Sequence, residues 1–251
     1  MNSTKKLYFQ HPYKASCSAI IEEIDVEKTA IRLDQTVAFP EGGGQASDSG
    51  IIITSEGLSI PFTSVNKSPW RVVFLQDFPT ITVDNPIYHV IPAEFIKDIK
   101  VGMEVQVKID VQKRASTAVY HSATHLVLLG VEEIRHGATS LIKGCSIKED
   151  GARLDYAVKE RFTEEDITRI ASIANSYVER NLPIEVYSHT EEPEAWYWKC
   201  DNEVIPCGGT HIPSTGLIGH INVKRRRMAK DLERILIQIP NLRVPIELYE
   251  P

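Results

Sequence analysis

The sequence predicts an α+β protein of two domains, and two observations carry this prediction. Up to about residue 110, short apolar or alternating runs are separated by Gly, Pro and Asn, which is typical of the strands of a β-sandwich or barrel. Beyond residue 110, two helical patterns stand among strand-like runs without a regular βαβ alternation, which favours an antiparallel sheet covered by helices. We therefore expect a mostly-β, barrel-like domain over residues 1–110 and an α/β domain with an antiparallel sheet over residues 111–251.

The first predicted domain contains candidate strands and one glycine-rich interruption. The interruption covers residues 39–50 and includes the consecutive glycines Gly42, Gly43 and Gly44. Glycines in such a run provide backbone angles that are closed to other residues, or allow the close approach of another chain or a ligand. The candidate strands are residues 18–24, 29–33, 51–54, 71–75, 88–91 and 104–109.

The second predicted domain begins with a long helix. Asp110 is a suitable N-cap, and apolar residues recur at helical spacing over residues 112–134. A second helix is expected from Thr163 to Asn181, because Thr163 and Asp166 resemble a capping box. The candidate strands of this domain are residues 152–158, 184–188, 218–223 and 235–239.

The composition limits the classes of function. A chain of 251 residues with 42% hydrophobic residues can bury a substantial core. It has no apolar run of about 18 residues and no apolar signal core, so we expect a cytoplasmic protein without membrane contact. The four cysteines are too few for a disulfide scaffold. The formal net charge of -6 argues mildly against a protein that coats nucleic acid non-specifically, although residues 224–227 form a local basic run.

Two short segments each place metal-ligand residues four positions apart. His121 and His125 lie one turn apart on the predicted helix, so both imidazoles can reach one ion. Cys207 and His211 repeat this spacing across a Gly-Gly turn, where small residues let the backbone bring both side chains to one point. Mixed imidazole and thiolate ligands favour zinc over calcium or magnesium. We expect one zinc ion at this site.

The coordination number separates a structural zinc from a catalytic one. Four protein ligands would close the site, whereas a catalytic site keeps a position for water or substrate. Counting candidate ligands favours the structural alternative. A domain of this size does not need a zinc ion for its stability, which argues against the structural alternative. In addition, Thr124 and Thr210 each directly precede a candidate ligand histidine, which makes the site polar. We favour catalysis, with zinc held by all four residues or by three of them with water.

The remaining thiols and imidazoles have weaker claims to a role. Cys200 is expected to be a buried thiol, although Cys200 and Cys207 could form a different metal pair. The histidines without partner spacing are expected to be structural: His11, His89, His136, His189 and His220.

These motifs resemble the editing domain shared by alanyl-tRNA synthetases and the free-standing AlaX proteins and, more distantly, that of threonyl-tRNA synthetases. The resemblance rests on His-Ser-Ala-Thr-His at 121–125, Cys-Gly-Gly-Thr-His at 207–211, Asp110 with Arg114, and the glycine-rich stretch 36–50. Because the chain begins at Met1 and is already full of matched segments, the expected match is a free-standing, AlaX-type trans-editing factor of medium length. Family members commonly have Lys-Gly before the last strand, where this chain has Lys230 and Asp231.

The resemblance implies a fold, an activity and a partner. The implied fold is a β-barrel followed by an α/β editing domain with an antiparallel sheet. The implied activity is that of a hydrolase that deacylates mischarged Ser-tRNA(Ala), and in some members Gly-tRNA(Ala), at a zinc site. The expected partner is tRNA(Ala) charged with serine or glycine, with no nucleotide cofactor, and the expected assembly is a monomer or a weak homodimer. The implied catalytic residues are the zinc ligands His121, His125, Cys207 and His211.

Further residues are candidates for binding the substrate. A site built to bond a serine hydroxyl leaves a polar group unpaired when alanine binds, and so rejects alanine strongly. The hydroxyl candidates for this role are Thr124, Thr139 and Ser140. The candidates expected near the bound ester or the acceptor end, unless they form an ordinary hairpin, are Gly43, Gly44 and Gln45. The candidates for contacts with tRNA phosphates, unless they form a solvated strand end, are Lys224, Arg225, Arg226 and Arg227.

Two alternatives come from other classes of function. The first is a zinc-stabilised tRNA-binding module that does not hydrolyse its ligand. The second is an editing factor for Ser-tRNA(Thr).

Overall fold

The computed structural model describes residues 3–76 and 78–250. The helices are α1 (Leu7–Gln10), α2 (Val111–Ile134) and α3 (Glu164–Arg180). The strands are β1 (Lys5–Lys6), β2 (Ser16–Asp25), β3 (Ala30–Leu33), β4 (Gln35–Thr36), β5 (Gly50–Thr54), β6 (Ser59–Phe62), β7 (Ser64–Lys67), β8 (Arg71–Val73), β9 (Ile81–Val83), β10 (Ile87–Val90), β11 (Glu104–Ile109), β12 (Ile142–Lys148), β13 (Gly151–Ala157), β14 (Ile184–Ser188), β15 (Trp196–Cys200), β16 (Glu203–Pro206), β17 (Asn222–Ala229) and β18 (Leu232–Gln238).

The first half of the chain forms a seven-stranded antiparallel sheet in the order β6-β5-β11-β2-β3-β10-β7. Its edge strands β6 and β7 are separated in sequence only by Thr63, so the sheet curls until its two edges follow one another along the chain. No ladder joins these edges among residues 3–76 and 78–109. The β-barrel implied by the family resemblance is therefore not closed.

The second half contains a four-stranded antiparallel sheet in the order β12-β13-β18-β17, against which α2 and α3 pack. A three-stranded sheet, β14-β15-β16, follows α3. The predicted mixture of helices with mostly antiparallel sheets is confirmed. Buried hydrophobic residues form one cluster between Leu7 and Ile109 and another between Ala118 and Ile239. The division into two domains at residue 110 stays a prediction.

Both long helices begin where their sequences indicate. The Asp110 side chain accepts a hydrogen bond from the N–H of Lys113 at 3.0 Å and caps α2. Thr163 and Asp166 form the predicted capping box of α3, which satisfies N–H groups that the first turn leaves without partners. Within the described part of the chain, no helix is both long and apolar enough to cross a bilayer.

Two predicted strands have different bounds in the structure. The predicted strand 218–223 begins only at Asn222, because Thr215–Leu217 form a 3-10 turn and Gly219 has a φ of 77°. The predicted strand 71–75 ends at Val73 in a two-stranded ribbon with β9. Asp231, where the chain departs from the Lys-Gly that the resemblance leads us to expect, takes a φ of 57° in the turn between β17 and β18. Aspartate tolerates this left-handed conformation better than most residues, so the turn is kept.

The glycine-rich segment crosses from the first sheet to the second. Residues 42–45, named here the glycine turn, are closed by bonds from Gly42 N to Gln45 O at 3.2 Å and from Gln45 N to Gly42 O at 3.0 Å. Gly43 and Gly44 have φ values of 61° and 86°, which glycine adopts without strain. Ile147 N donates to Gly44 O at 2.8 Å, so the glycine turn covers the edge of β12.

A buried ion pair fastens the same segment to α2. Arg114 is fully buried, and its Nε donates to both carboxylate oxygens of Asp48 at 3.0 and 3.1 Å. Its Nη2 donates to the Asp48 carboxylate and to Val37 O, the latter at 2.8 Å. The guanidinium is therefore paired with an opposite charge and donates its hydrogen bonds to nearby oxygens, which a buried cation requires.

Candidate metal centre

The structure brings together the two ligand pairs. His121 and His125 lie on consecutive turns of α2, while Cys207 and His211 lie in the loop that follows β16. One ligand atom from each residue lies within 4.8 Å of those of the others. The three histidines are buried and Cys207 is partly exposed. This group of four residues, named here the His-Cys cluster, could hold a metal ion.

Gln45 fixes the orientation of the first ligand. Its Oε1 accepts a hydrogen bond from Thr210 N at 3.0 Å, so this atom of the amide is the oxygen. The same oxygen lies 2.8 Å from His121 Nδ1, which must therefore carry the hydrogen. The Nε2 atom of His121 keeps its lone pair and lies 3.4 Å from Cys207 Sγ. Gln45 thus supplies the outer hydrogen bond that metal-binding histidines usually make.

Ser122 does the same for His211. Its hydroxyl donates to Ala118 O at 2.9 Å and accepts from Ile212 N at 3.3 Å. Because its one hydrogen is used, the bond of 3.2 Å between Ser122 Oγ and His211 Nδ1 takes its hydrogen from the imidazole. His211 Nε2 is then bare and lies 3.3 Å from Cys207 Sγ.

The third imidazole, His125, is buried without any hydrogen bond. Neither of its nitrogens has a partner in the described part of the chain. Its ring is stacked between His121, at a centroid distance of 5.0 Å, and Trp198, at 4.8 Å. An unpaired buried polar group is costly, typically by about 1–3 kcal/mol. A metal bound to one His125 nitrogen would remove part of this cost.

Two of the distances between ligand atoms fit a small tetrahedral ion. With zinc bonds of about 2.0–2.1 Å to nitrogen and about 2.3 Å to sulfur, neighbouring ligand atoms in a tetrahedron lie about 3.5 Å apart. The two measured distances from Cys207 Sγ to imidazole nitrogens, 3.4 and 3.3 Å, match this value. The residues present therefore fit the metal that their donor types favour.

Burial sets the protonation states of the cluster. It lowers the pKa of His121 to about 3, and it holds the pKa values of His125 and His211 well below their usual range, with the neighbouring imidazoles adding to the effect. All three imidazoles are thus neutral and ready to donate lone pairs. Burial raises the pKa of Cys207 to about 12, so the thiol keeps its proton until a metal replaces it.

Two positions around the cluster require glycine because of close packing. A Cβ on Gly209 would lie 2.1 Å from His121 Cε1 and 2.7 Å from Gln45 Oε1. A Cβ on Gly44 would lie 2.9 Å from the backbone oxygen of Cys145. Gly209 therefore lets its loop approach the imidazole of His121 closely, and Gly44 lets the glycine turn approach β12.

The hydroxyl candidates are distributed over two places. Thr124 is buried on α2, directly before His125 in the sequence, and its hydroxyl donates to Tyr120 O at 2.7 Å. Thr139 and Ser140 lie in an exposed 3-10 turn after α2, where Thr139 Oγ1 donates to Glu132 at 2.7 Å. No hydrogen bond between described residues joins Thr139 or Ser140 to the His-Cys cluster.

Of the other predicted site residues, some contact the His-Cys cluster and others are exposed to solvent. Gln45 is buried and bonded to the cluster, whereas Gly43 and Gly44 are exposed at the tip of the glycine turn. The basic run lies on the edge strand β17, where side chains alternate between faces. Arg225 forms ion pairs with Glu164 and Glu233 on the helix side of the sheet. Strand alternation places the exposed residues Lys224 and Arg226 on the opposite face, so the four basic residues do not form one patch.

Sequence reasoning missed two residues of the cluster's surroundings. Ser122 stands inside the first ligand motif, and its place beside His121 was the signal that could have identified it. Trp198 has no such signal, because only the pairing of β15 with its neighbours brings it against His125. Cys200 is buried at the end of β15 and does not belong to the His-Cys cluster.

Comparisons with known proteins agree with this geometry. The family model of the threonyl and alanyl tRNA synthetase second additional domain matches residues 184–235, which include Cys207 and His211. The alanyl-tRNA editing protein AlaX-M of Pyrococcus horikoshii is 29% identical over 236 residues, which cover 94% of this chain and 97% of that protein. The predicted resemblance is confirmed.

The chain is also similar to alanine–tRNA ligases. The alanine–tRNA ligase of Pyrococcus abyssi is 30% identical over 253 residues, which cover 93% of this chain and 25% of the ligase. The alanine–tRNA ligase of Sulfurisphaera tokodaii is also 30% identical, over 239 residues. The chain therefore spans about a quarter of the length of the ligases that it matches.

Proposed function

We propose that this protein hydrolyses the ester bond between a wrongly attached amino acid and tRNA(Ala). Serine is the expected amino acid and glycine the second. The observation that carries the proposal is the convergence of His121, His125, Cys207 and His211 on one point. The similarity to the editing protein AlaX-M along nearly the whole of both chains supports it.

Zinc is the proposed metal. Three neutral imidazoles and one thiolate form a donor set that suits zinc and excludes calcium and magnesium, which prefer oxygen. When bound, zinc would supply a Lewis acid that lowers the pKa of a water molecule or polarises the ester carbonyl. An aminoacyl ester is already reactive, so a site of this kind has mainly to position the ester and exclude the correct product.

The surrounding residues would hold this site in one arrangement. Gln45 and Ser122 fix the tautomers of His121 and His211, so that both rings present Nε2 inward. Trp198 limits the ring of His125 to a stacked orientation. The ester would approach from the side of Cys207 and Gly208, where the loop is partly exposed while the imidazoles are buried.

Thr124 is the strongest candidate for recognising serine. Its hydroxyl uses its hydrogen on Tyr120 O, which leaves lone pairs that can accept a bond from a serine hydroxyl. Alanine would leave this buried acceptor without a partner, which disfavours alanine more strongly than a lost methylene would.

One observation favours a second function, that of a zinc-stabilised tRNA-binding module. Four converging protein ligands, three of them buried, describe a closed site, and closed sites are usually structural. In that case tRNA would bind without hydrolysis. The partial exposure of Cys207 is what favours the catalytic alternative.

Deacylation assays would separate these functions. The protein is incubated with Ser-tRNA(Ala), Gly-tRNA(Ala), Ala-tRNA(Ala) and Ser-tRNA(Thr), and release of the amino acid is followed before and after removal of zinc by a chelator. We expect zinc-dependent release of serine from tRNA(Ala) that exceeds release of alanine. The variant Cys207→Ala should lose zinc and this activity, whereas Thr124→Val should keep zinc and lose the discrimination against alanine.

A control variant accounts for damage to the fold. His89 is a fully buried histidine far from the cluster in sequence, and His89→Ala removes an imidazole from the first sheet. The His89→Ala variant should bind zinc with the same stoichiometry as the unaltered protein. Absence of serine release, or release that Cys207→Ala does not change, would contradict the zinc-dependent hydrolase. Preferential release from Ser-tRNA(Thr) would assign the activity to the other tRNA.

A further inference from the structure

His125 differs from the other two histidines of the His-Cys cluster in what surrounds its ring. Gln45 accepts a hydrogen bond from the His121 ring, and Ser122 accepts one from the His211 ring. Neither ring nitrogen of His125 has a hydrogen-bond partner in the described part of the chain, and both are shielded from solvent. A metal would take one of these nitrogens, and the other would still lack the acceptor that metal-binding histidines usually have.

Two aromatic rings stack on the His125 imidazole. The Trp198 ring lies at a centroid distance of 4.8 Å with an interplanar angle of 24°, and the His121 ring lies at 5.0 Å with an angle of 19°. The torsion that turns a histidine ring about its Cβ–Cγ bond has broad minima, so the surroundings have to fix it. A ring packed between two others cannot turn about this bond without a clash, and stacking therefore sets the direction of the His125 nitrogens.

Trp198 is held in place by the three-stranded sheet. It is fully buried on the central strand β15, where it pairs with Val186 of β14 and Ile205 of β16. An indole N–H can donate a hydrogen bond but cannot accept one, and Trp198 Nε1 has no partner within the described residues. The contact between Trp198 and His125 is therefore stacking without a hydrogen bond.

The two stacking partners of His125 have different relations to the metal. His121 is itself a candidate ligand, so its removal would take away both a ligand and a support. Trp198 does not belong to the His-Cys cluster, and its removal would take away the support alone. The role of stacking can therefore be tested at Trp198 without changing the number of candidate ligands.

We propose that Trp198 is a positioning residue for His125, whose indole ring keeps the imidazole turned toward the cluster in place of an outer hydrogen bond. The inference rests on the proposed function for the identity of the metal. Removal of an outer hydrogen bond typically lowers metal affinity about 10- to 100-fold. Because the His125 ring has no such bond, its contribution to metal binding depends on Trp198 to a similar degree.

Zinc affinity in two Trp198 variants tests this role. Trp198→Leu keeps an apolar side chain but removes the flat ring, whereas Trp198→Phe keeps an aromatic ring. In competition with a chromogenic chelator, zinc affinity should fall about 10-fold in Trp198→Leu, and Trp198→Phe should recover most of the loss. Equal losses in the two variants would overturn the proposal, because stacking would then not be the property that supports His125.

A double-mutant cycle tests whether Trp198 acts through His125. Trp198→Leu should lower zinc affinity about 10-fold in the unaltered protein but less than about 2-fold in a protein that already carries His125→Ala. The visible absorption of bound Co²⁺ gives a second readout, because it depends on the coordination geometry, and Trp198→Leu should shift it toward the spectrum of His125→Ala. Additive losses in the double variant would show that Trp198 acts on the whole cluster, and would overturn the positioning role.

The matched control is Trp196→Leu. Trp196 lies on the same strand, and its ring stacks on Phe9 at a centroid distance of 5.1 Å. No ring stacking or side-chain hydrogen bond joins Trp196 to the His-Cys cluster in the described structure, and the Trp196 oxygen that accepts from Cys207 N at 2.8 Å belongs to the backbone. This variant should change zinc affinity less than about 3-fold, and a loss equal to that of Trp198→Leu would contradict a specific role for Trp198.

Motion of the His125 ring in the metal-free protein separates this proposal from the proposed function. Carbon NMR relaxation at Cε1 should show a rigid ring in the unaltered protein, increased ring motion in Trp198→Leu and restored rigidity in Trp198→Phe. If the protein binds no zinc or releases no amino acid while ring motion still follows the Trp198 side chain, the proposed function fails and the positioning role stands. If zinc-dependent hydrolysis occurs but Trp198→Leu changes neither zinc affinity nor ring motion, only the positioning role fails.

Discussion

Two residues of one glycine-rich segment contact the same helix, but their surroundings differ. Asp48 binds Arg114 near the start of α2, and the guanidinium reaches the carboxylate and the backbone oxygen of Val37. Gln45 binds His121 two turns further on, and this contact leads into a cluster where both nitrogens of His125 lack partners. In the first contact, the buried guanidinium finds its hydrogen-bond acceptors within the protein. The second contact leads to His125, whose two ring nitrogens have no hydrogen-bond partner among the described residues.

The Asp48–Arg114 contact is structural, whereas the Gln45–His121 contact belongs to a site that could bind a ligand. Buried polar groups in proteins are nearly always hydrogen-bonded, so a satisfied network needs no further partner. Several unpaired lone pairs that face one another are unfavourable unless an ion occupies the space between them. The Arg114 contact therefore joins the two halves of the chain, and the Gln45 contact lets one half orient a candidate metal ligand of the other.

The largest expected effect on stability would come from breaking the ion pair between Asp48 and Arg114. Asp48→Ala leaves the Arg114 guanidinium buried and unpaired, so the free energy of unfolding should fall by about 3–5 kcal/mol. Urea denaturation measures this change. Combining Asp48→Ala with Arg114→Met should recover most of the loss, because no buried charge remains. A loss below about 1 kcal/mol in the single variant would show that the ion pair does not fasten the two halves.

The next effect tests whether an unpaired buried nitrogen is enough to mark a metal ligand. His89 is fully buried, its Nε2 is bonded to Thr36 Oγ1 at 2.9 Å, and its Nδ1 has no side-chain partner in the described structure. Burial lowers the pKa of His89 to about 4. The unfolded chain, with an ordinary histidine pKa of about 6.5, binds this proton more readily, so the contribution of His89 to stability is complete above pH 6.5 and is lost as the pH falls toward 4.

The size of this effect follows from the pKa difference. Between pH 7.5 and pH 4.5 the unaltered protein should lose about 2–3 kcal/mol more stability than His89→Gln, which cannot take up this proton. Urea denaturation at several pH values measures the difference between the two proteins. Parallel pH curves for the two proteins would contradict the neutral, structural role. Addition of zinc should not change the difference, since His89 does not belong to the His-Cys cluster.

The smallest expected effect is on zinc affinity and comes from removing the hydrogen bond between Gln45 and His121. Gln45→Leu removes the acceptor of the His121 Nδ1 hydrogen without removing a ligand, so zinc affinity should fall about 10- to 100-fold, or about 1.4–2.7 kcal/mol. Competition with a chromogenic chelator measures this affinity. Gln45→Glu keeps an acceptor at the same place and should recover part of the loss. Unchanged affinity in Gln45→Leu would show that His121 is held by α2 alone.

Local patterns in the sequence were sufficient for much of the fold. Asp110 and the pair Thr163 and Asp166 mark the starts of α2 and α3, because a capping side chain bonds to N–H groups only two or three residues away. The strand predicted at 218–223 failed for the opposite reason. Ile218 and Ile221 are buried, but they pack from an irregular segment in which Gly219 reverses the backbone. Burial alone does not distinguish a strand from a well-packed turn.

The sequence by itself determined the ligand types and their pairing. An i, i+4 spacing on a helix places two histidines on one face, and this geometry depends on nothing outside α2. Only the tertiary structure decided which atoms of those residues are available. The contact that sets the His121 tautomer comes from Gln45, 76 positions away, and the indole ring that stacks on His125 comes from Trp198 of β15. Such contacts depend on how the sheets meet, and no local periodicity in the chain encodes that arrangement.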